Sequence, residues 1–143
     1  MNSNWAKWIK QSLCKHFNDN KGTLTFNFEG DDDAVTVMRN HFELRIDGPD
    51  VNTAPGAEKF TFAVNCLVST AKDMRNVFKH EENVGIVLAC FATGMSIYND
   101  SNTVIDCLRR EDDITVVDYG YIKEGVGLKQ STIEAQYSAY LKG

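Results

Sequence analysis

Proline is scarce in this chain. Two among 143 residues exclude a proline-rich linker and a collagen-like segment. Basic charge is in short supply as well. Fifteen Lys and Arg stand against twenty Asp and Glu, for a formal net charge of −5. That balance argues against a general nucleic-acid binder, because phosphate contacts need Lys and Arg gathered on one surface. No apolar run approaches the roughly 20 residues that span a bilayer. The N-terminal stretch is amphipathic with polar interruptions, unlike the apolar core of a signal peptide, so a cytosolic setting is expected. The four cysteines, Cys14, Cys66, Cys90 and Cys107, form no CxxC pair. They are expected to be buried or half-buried free thiols that pack as small hydrophobes, not zinc ligands or a disulfide framework.

Signatures of catalysis are missing too. There is no GxSxG, no Walker loop and no GxGxxG, and Gly125-Val126-Gly127 supplies only a bare GxG. His16, His41 and His80 lack metal-ligand spacing, and His80-Glu81-Glu82 reads as a charged helix face. Asp31-Asp32-Asp33 is the densest local charge, and clustered carboxylates suit hard cations. Without an EF-hand pattern, that run and Glu111-Asp112-Asp113 read as solvated loops. Nothing places two acids across a cleft. The expectation is no catalytic residue, no metal, no cofactor and no enzymatic activity.

What the chain does contain is one domain's worth of alternating apolar residues. Hydrophobic residues make up 43% and charged residues 24%, so a single globular domain over 1–143 is expected. Trp5, Trp8, Ile9, Leu13, His16 and Phe17 recur at helical spacing and predict a helix over 4–18, capped by Ser3 or Asn4 and stopped at Lys21-Gly22. The two tryptophans either anchor that helix in its own core or dock it on a neighbouring subunit. From Leu24 the period is two: Leu24, Phe26 and Phe28 predict a strand, and Val35 and Val37 begin another.

Phe42, Leu44 and Ile46 predict a strand over 41–47, ended by Asp47-Gly48-Pro49-Asp50. A polar loop to about Glu58 follows, then the alternation Phe60, Phe62, Val64, Cys66, Val68 over 59–69. The pair forms an antiparallel hairpin whose connection of about a dozen residues exceeds the usual length, as functional loops often do. A second helix is predicted over 72–92 on the stripe Met74, Val77, Phe78, Val84, Leu88, Phe91. Its end, from Val84 to Phe91, is apolar enough to suit a strand as well; helix is preferred because no turn signal precedes it. Short strands follow near 96–98, 104–109 and 114–122, then a long one over 128–141. Its faces are Ser131, Ile133, Ala135, Tyr137, Ala139, Leu141 and Gln130, Thr132, Glu134, Gln136, Ser138, Tyr140. Trp5, Trp8, Leu13, Phe26, Phe28, Phe62, Val64, Val84, Leu88, Ile133 and Tyr137 are the expected core.

Three segments carry a resemblance. They are Phe42-Glu43-Leu44-Arg45-Ile46-Asp47-Gly48-Pro49, the apolar stretch Asn83 to Phe91 that follows the return strand Phe60–Val68, and the closing strand with Glu134-Ala135-Gln136-Tyr137-Ser138-Ala139-Tyr140-Leu141. In that order, over 41–141, they resemble the tail-terminator or tail-completion proteins of tailed bacteriophages, a family of head–tail connector proteins in the virion neck. The resemblance is a pattern of elements without an invariant signature. It implies an α+β fold, an antiparallel sheet flanked by an N-terminal and a central helix, with a long protruding β-hairpin. It implies a structural protein of the virion neck and tail, put together in the host cytoplasm and binding no cofactor or membrane. Its partners would be further copies of itself in a homohexameric ring, the tail-tube protein and a head-side connector or adaptor. Double-stranded DNA would pass through the ring without specific binding.

On this reading Trp5, Trp8, Asp47, Pro49, Asp50, Val51, Pro55, Glu134 and Gln136 are candidates for the subunit interface. Asp31, Asp32, Asp33, Asp112 and Asp113 are candidates for the channel. The alternatives are a tail-tube or baseplate ring subunit, and a small ligand-binding or enzymatic α+β protein.

Overall fold

A computed structural model describes residues 3–28, 40–71, 75–121 and 128–141. The order of elements is α1 (Trp5–Asp19), β1 (Thr25–Phe28), β2 (His41–Ala54), β3 (Ala57–Ala71), α2 (Lys79–Cys90), β4 (Gly94–Tyr98), β5 (Val104–Arg110), β6 (Thr115–Tyr121) and β7 (Leu128–Leu141). It is a mixed α+β fold. The strands join in one sheet of order β1-β2-β3-β7-β5-β4, with β6 also paired to β7. β1 runs parallel to β2, and every other pairing is antiparallel.

The β3–β7 ladder forms the spine, unbroken from Glu58↔Leu141 to Ala71↔Leu128. The alternation in the sequence sets its register. Phe60, Phe62, Val64 and Cys66 pair with Ala139, Tyr137, Ala135 and Ile133, so both apolar sets fall on one face and all eight are buried. Helix α1 packs against β1 and β2 near one end of the strand order and β4 at the other, so the sheet curls about it. Ile9, Leu13 and Phe17 fill the curl. Phe17 meets Phe91 edge-on at 5.2 Å and lies 6.3 Å from Phe42.

The segment 47–59 departs from expectation: most of it is strand, not loop. β2 runs on to Ala54 and β3 begins at Ala57, so the connection is the two-residue turn Pro55-Gly56. Gly56, at φ +75°, takes the turn position that most side chains avoid. Turn-rich composition misled because Gly48 and Pro49 make a bulge inside the strand, between Asp47 and Asp50, and not its end. Gly48 sits at φ +127°, and a Cβ there would stand 2.8 Å from the Thr61 carbonyl oxygen. Gly48→Ala is expected to destabilise the fold by about 2 kcal/mol through backbone strain and the contact with Thr61. A urea midpoint that does not move would show that the bulge yields.

The second helix is shorter than expected. It begins at Lys79; Val77 and Phe78 precede it and are exposed, at 75% and 68%. Met74 lies outside the described residues. Val84 and Leu88 are only half-buried, and the buried face is His80, Asn83, Val87 and Cys90. The apolar stripe was misread because two of the inward residues are polar. Segment 84–90 is helix, and the strand alternative falls. Trp5, Trp8, Phe26 and Phe28 are also half-buried, packed on the rim of the core. Cys66 and Cys90 are buried, Cys14 is intermediate and Cys107 is exposed, against the expectation for Cys107. Burial raises the pKa of both buried thiols, that of Cys90 to about 11.

Candidate functional site

Two features of the described residues stand out from a packed core. One is polar and internal, the other apolar and external.

The internal feature is a chain of hydrogen bonds that links α2 to three strands. His80 opens the helix and faces inward, 4% exposed. Its Nδ1 lies 2.7 Å from Thr70 Oγ1 on β3, and its Nε2 lies 2.7 Å from Ser131 Oγ on β7. Asn83, one turn along, donates from Nδ2 to Thr70 Oγ1 at 3.0 Å. Ser131 donates to Asp118 Oδ1 on β6 at 3.4 Å. Outside this chain, Lys129 Nζ donates to Glu81 Oε1 at 3.1 Å, a second tie between β7 and α2. Burial lowers the His80 pKa from its ordinary 6.5, with the Lys129 charge acting in the same direction. The Gly120 backbone N–H holds the Asp118 carboxylate below its usual range.

A serine hydroxyl against an imidazole suggests a nucleophile and its base. The order of groups here does not suit that chemistry. The carboxylate bonds the serine and not the far nitrogen of the imidazole, and Ser131 is 2% exposed. The arrangement holds elements together. Sequence reading placed His80 on a charged surface because Glu81 and Glu82 follow it. Both of those are exposed, while His80 and Asn83 turn inward on the opposite side.

The external feature is a pair of strand edges. β7 is an interior strand: β3 lines one side of it, while β6 and β5 share the other. It therefore offers little free edge. Among the described residues no strand pairs with the outer edge of β6, where Val116, Val117 and Tyr119 are exposed. Nor does any described strand pair with the outer side of β2 from Asp50 to Ala54, past the bulge. The two edges bound one four-stranded run, β2-β3-β7-β6.

No protein-family model and no curated protein sequence matches this chain.

The residues singled out from the sequence are scattered over this frame. Asp47, Asp50, Val51 and Pro55 are exposed along the β2–β3 hairpin, with Pro49 half-buried at the bulge. Glu134 and Gln136 are exposed on β7, on the face away from the core. Trp5 and Trp8 stack edge to face at 5.7 Å on α1, packed against the chain's own core. The Trp8 indole N–H faces Asp100 and, with Lys7, holds that carboxylate below its usual range, though short of hydrogen-bond geometry. Asp112 and Asp113 are exposed in the β5–β6 connection. Asp31, Asp32 and Asp33, with Val35 and Val37, lie outside the described residues. No group of three His, Cys, Asp or Glu side chains able to hold a metal occurs among the described residues.

Two clefts are lined by described residues. One of about 230 Å³ lies between α1 and β4, lined by Ser12, Lys15, His16 and Tyr98 among others. Ser12 is already bonded to the Tyr98 amide at 2.8 Å, and His16 to the Cys90 carbonyl at 2.8 Å. A second, of about 180 Å³, lies on the outer sheet face around Glu43, Arg45, Asn65, Leu67 and Thr132. Glu43 there accepts a hydrogen bond from Arg45 at 3.1 Å. These bonds tie several of the polar groups in both clefts to the chain itself.

Proposed function

We propose that the chain is a structural ring subunit of a tailed-phage virion, acting at the head–tail junction to terminate the tail tube. The observation that supports it most is the pair of edges that no described strand covers, β6 and the Asp50–Ala54 stretch of β2. Strand edges recruit partners unless they are covered or charged. Two different edges favour a head-to-tail contact, in which β6 of one copy adds to β2 of the next. Such contacts close into a ring when the rotation permits.

The β2–β3 hairpin serves as a protruding arm in this reading. Its β3 half stays paired with β7 out to Glu58, so what stands clear is the β2 half from Asp50 and the Pro55-Gly56 turn, and Val51 there is 48% exposed. The ring is a hexamer that meets the tail tube on one side and a connector on the other. Its net charge of −5 suits a lumen through which DNA slides without sticking. No cofactor and no chemical step are part of the role.

Purified protein, alone and sedimented with tail tubes, is the test, read by native mass spectrometry and negative-stain imaging. Closed rings that cap tubes are expected. Open stacks would assign the chain to the tube itself. A strict monomer that ignores tubes at micromolar concentration would overturn the reading in favour of a small ligand-binding protein.

A further inference from the structure

The chain of hydrogen bonds around His80 has a single direction, and that direction fixes where its protons sit. Asp118 is a carboxylate and only accepts. Ser131 spends its one proton on Asp118, at 3.4 Å. Its oxygen therefore accepts at the 2.7 Å contact with His80 Nε2, and that nitrogen carries a hydrogen. From the other end, Asn83 Nδ2 donates to Thr70 Oγ1. Thr70 then has its own proton free for His80 Nδ1, 2.7 Å away, and that nitrogen is the acceptor. A neutral Nε2–H imidazole satisfies every bond in the chain.

A second proton on the ring breaks this order. It would sit on Nδ1 and point at the proton of Thr70. Thr70 would have to turn its hydroxyl to a new acceptor. The acceptor at hand is Asn83 Oδ1, which is buried and accepts no hydrogen bond in the structure. It belongs to the same amide whose Nδ2 holds Thr70, so the amide must turn over: the Thr70 bond is remade in the opposite sense, and the Nδ2 donor is left buried in place of Oδ1. His80, Thr70, Asn83 and Ser131 are all buried, so water is not at hand to solvate the charge on the ring or to partner the turned amide.

We propose that His80 is a proton-operated latch that fastens the N-terminal half of α2 to β3 and β7 while neutral and releases it when protonated. The charged groups that face it are Glu81 on its own helix, Lys129 on β7 and Asp118 on β6; β3 contributes the uncharged Thr70. Glu81 and Asp118 favour the second proton, whereas burial and Lys129 oppose it more strongly. The folded chain thus binds this proton less tightly than the unfolded chain does. The latch contributes in full above the ordinary imidazole value of 6.5 and is lost as pH falls through the lower folded value. The inference does not depend on the ring reading, since it concerns how one copy holds its own helix.

The test is nitrogen-15 NMR of the imidazole, joined to amide hydrogen exchange, between about pH 7.5 and pH 5. At the upper end His80 should show a protonated Nε2 and a bare Nδ1. On acidification, protection of the α2 amides should fall severalfold with the midpoint of the His80 ring, after correction for intrinsic exchange, while β3 and β7 stay protected. In His80→Gln, which cannot titrate, the acid-dependent fall should vanish. A bare Nε2, α2 protection that stays constant while His80 titrates, or an undiminished fall in His80→Gln would each overturn the latch. If that variant does not fold, coincidence of the two wild-type midpoints decides the matter.

Discussion

Phe17→Ala is expected to cost about 3–5 kcal/mol, enough to threaten the fold of a domain this size. Phe17 is wholly buried, and it is the residue through which α1 meets both the sheet and the chain after α2. Its ring packs on Phe91 edge-on and on Phe42, which in turn packs on Phe26 of β1 at 5.3 Å. Truncation leaves a cavity between Phe42 and Phe91, two aromatics on different parts of the chain, so no single side chain can collapse into it. The loss should therefore fall in the upper part of the range set by burial alone. Chemical denaturation with the slope held fixed reads it directly. Trp5→Ala is the internal control. Trp5 is half-buried on the rim, and its loss should be clearly smaller. Equal losses at the two positions would mean that α1 is held by its rim and not by its buried stripe.

The parts of the fold that sequence periodicity reads well are those with one face dry and one wet. Strands β3 and β7 alternate without interruption, and the residues assigned to the inner face of β7, from Ser131 to Leu141, are all buried. The first helix was legible for the same reason, with Ile9, Leu13 and Phe17 as its buried stripe. Its fourth buried residue, Ser12, was not, because a serine carries no hydrophobic signal; it is kept inside by the Tyr98 amide. The hairpin failed at Gly48-Pro49, where residues that usually end a strand instead form a bulge. Composition gives the local backbone preference there, but the ladder resumes because Thr61 lies opposite Asp50 across the gap.

The candidate site was less legible than the fold, again for physical reasons. The inward face of α2 combines polar His80 and Asn83 with apolar Val87 and Cys90. Hydrophobic periodicity passed over the first two and chose Val77 and Phe78 instead. One signal was available: His80, Asn83, Val87 and Cys90 fall at steps of three and four, the spacing of a single helix face. Polar residues on such a face need partners, and Thr70 and Ser131 stand at polar points in otherwise apolar inner faces of β3 and β7. Of the two edges that no described strand covers, that of β2 holds the interface candidates Asp50 and Val51, while β6 holds none. Whether a strand is interior or at an edge depends on pairings between distant segments. The longest alternating strand, β7, proved interior, while short β6 provides the exposed edge.

Val117→Lys on that edge is expected to separate assembly from folding. Val117 pairs with Thr132 on one side only and is 42% exposed, so a lysine there reaches water without displacing core atoms. Monomer stability should stay within about 0.5 kcal/mol of the parent, as for other surface changes. A charge on an exposed strand opposes further strand addition. Its ammonium would have to be buried, or paired by a neighbour, for a second strand to dock at that face. Under the proposed ring, the variant should remain folded by circular dichroism yet sediment as a monomer and fail to cap tail tubes. The β2 edge supplies the matching experiment. Val51→Lys, on the exposed end of the hairpin, should impair the same contact from the other side. Mixing the two variants should not rescue a closed ring, because each copy must use both edges. Rings formed by Val117→Lys as readily as by the parent would remove β6 from the interface and with it the edge-to-edge scheme. Loss of assembly in Val117→Lys together with normal rings from Val51→Lys would keep β6 but place its partner elsewhere than the arm.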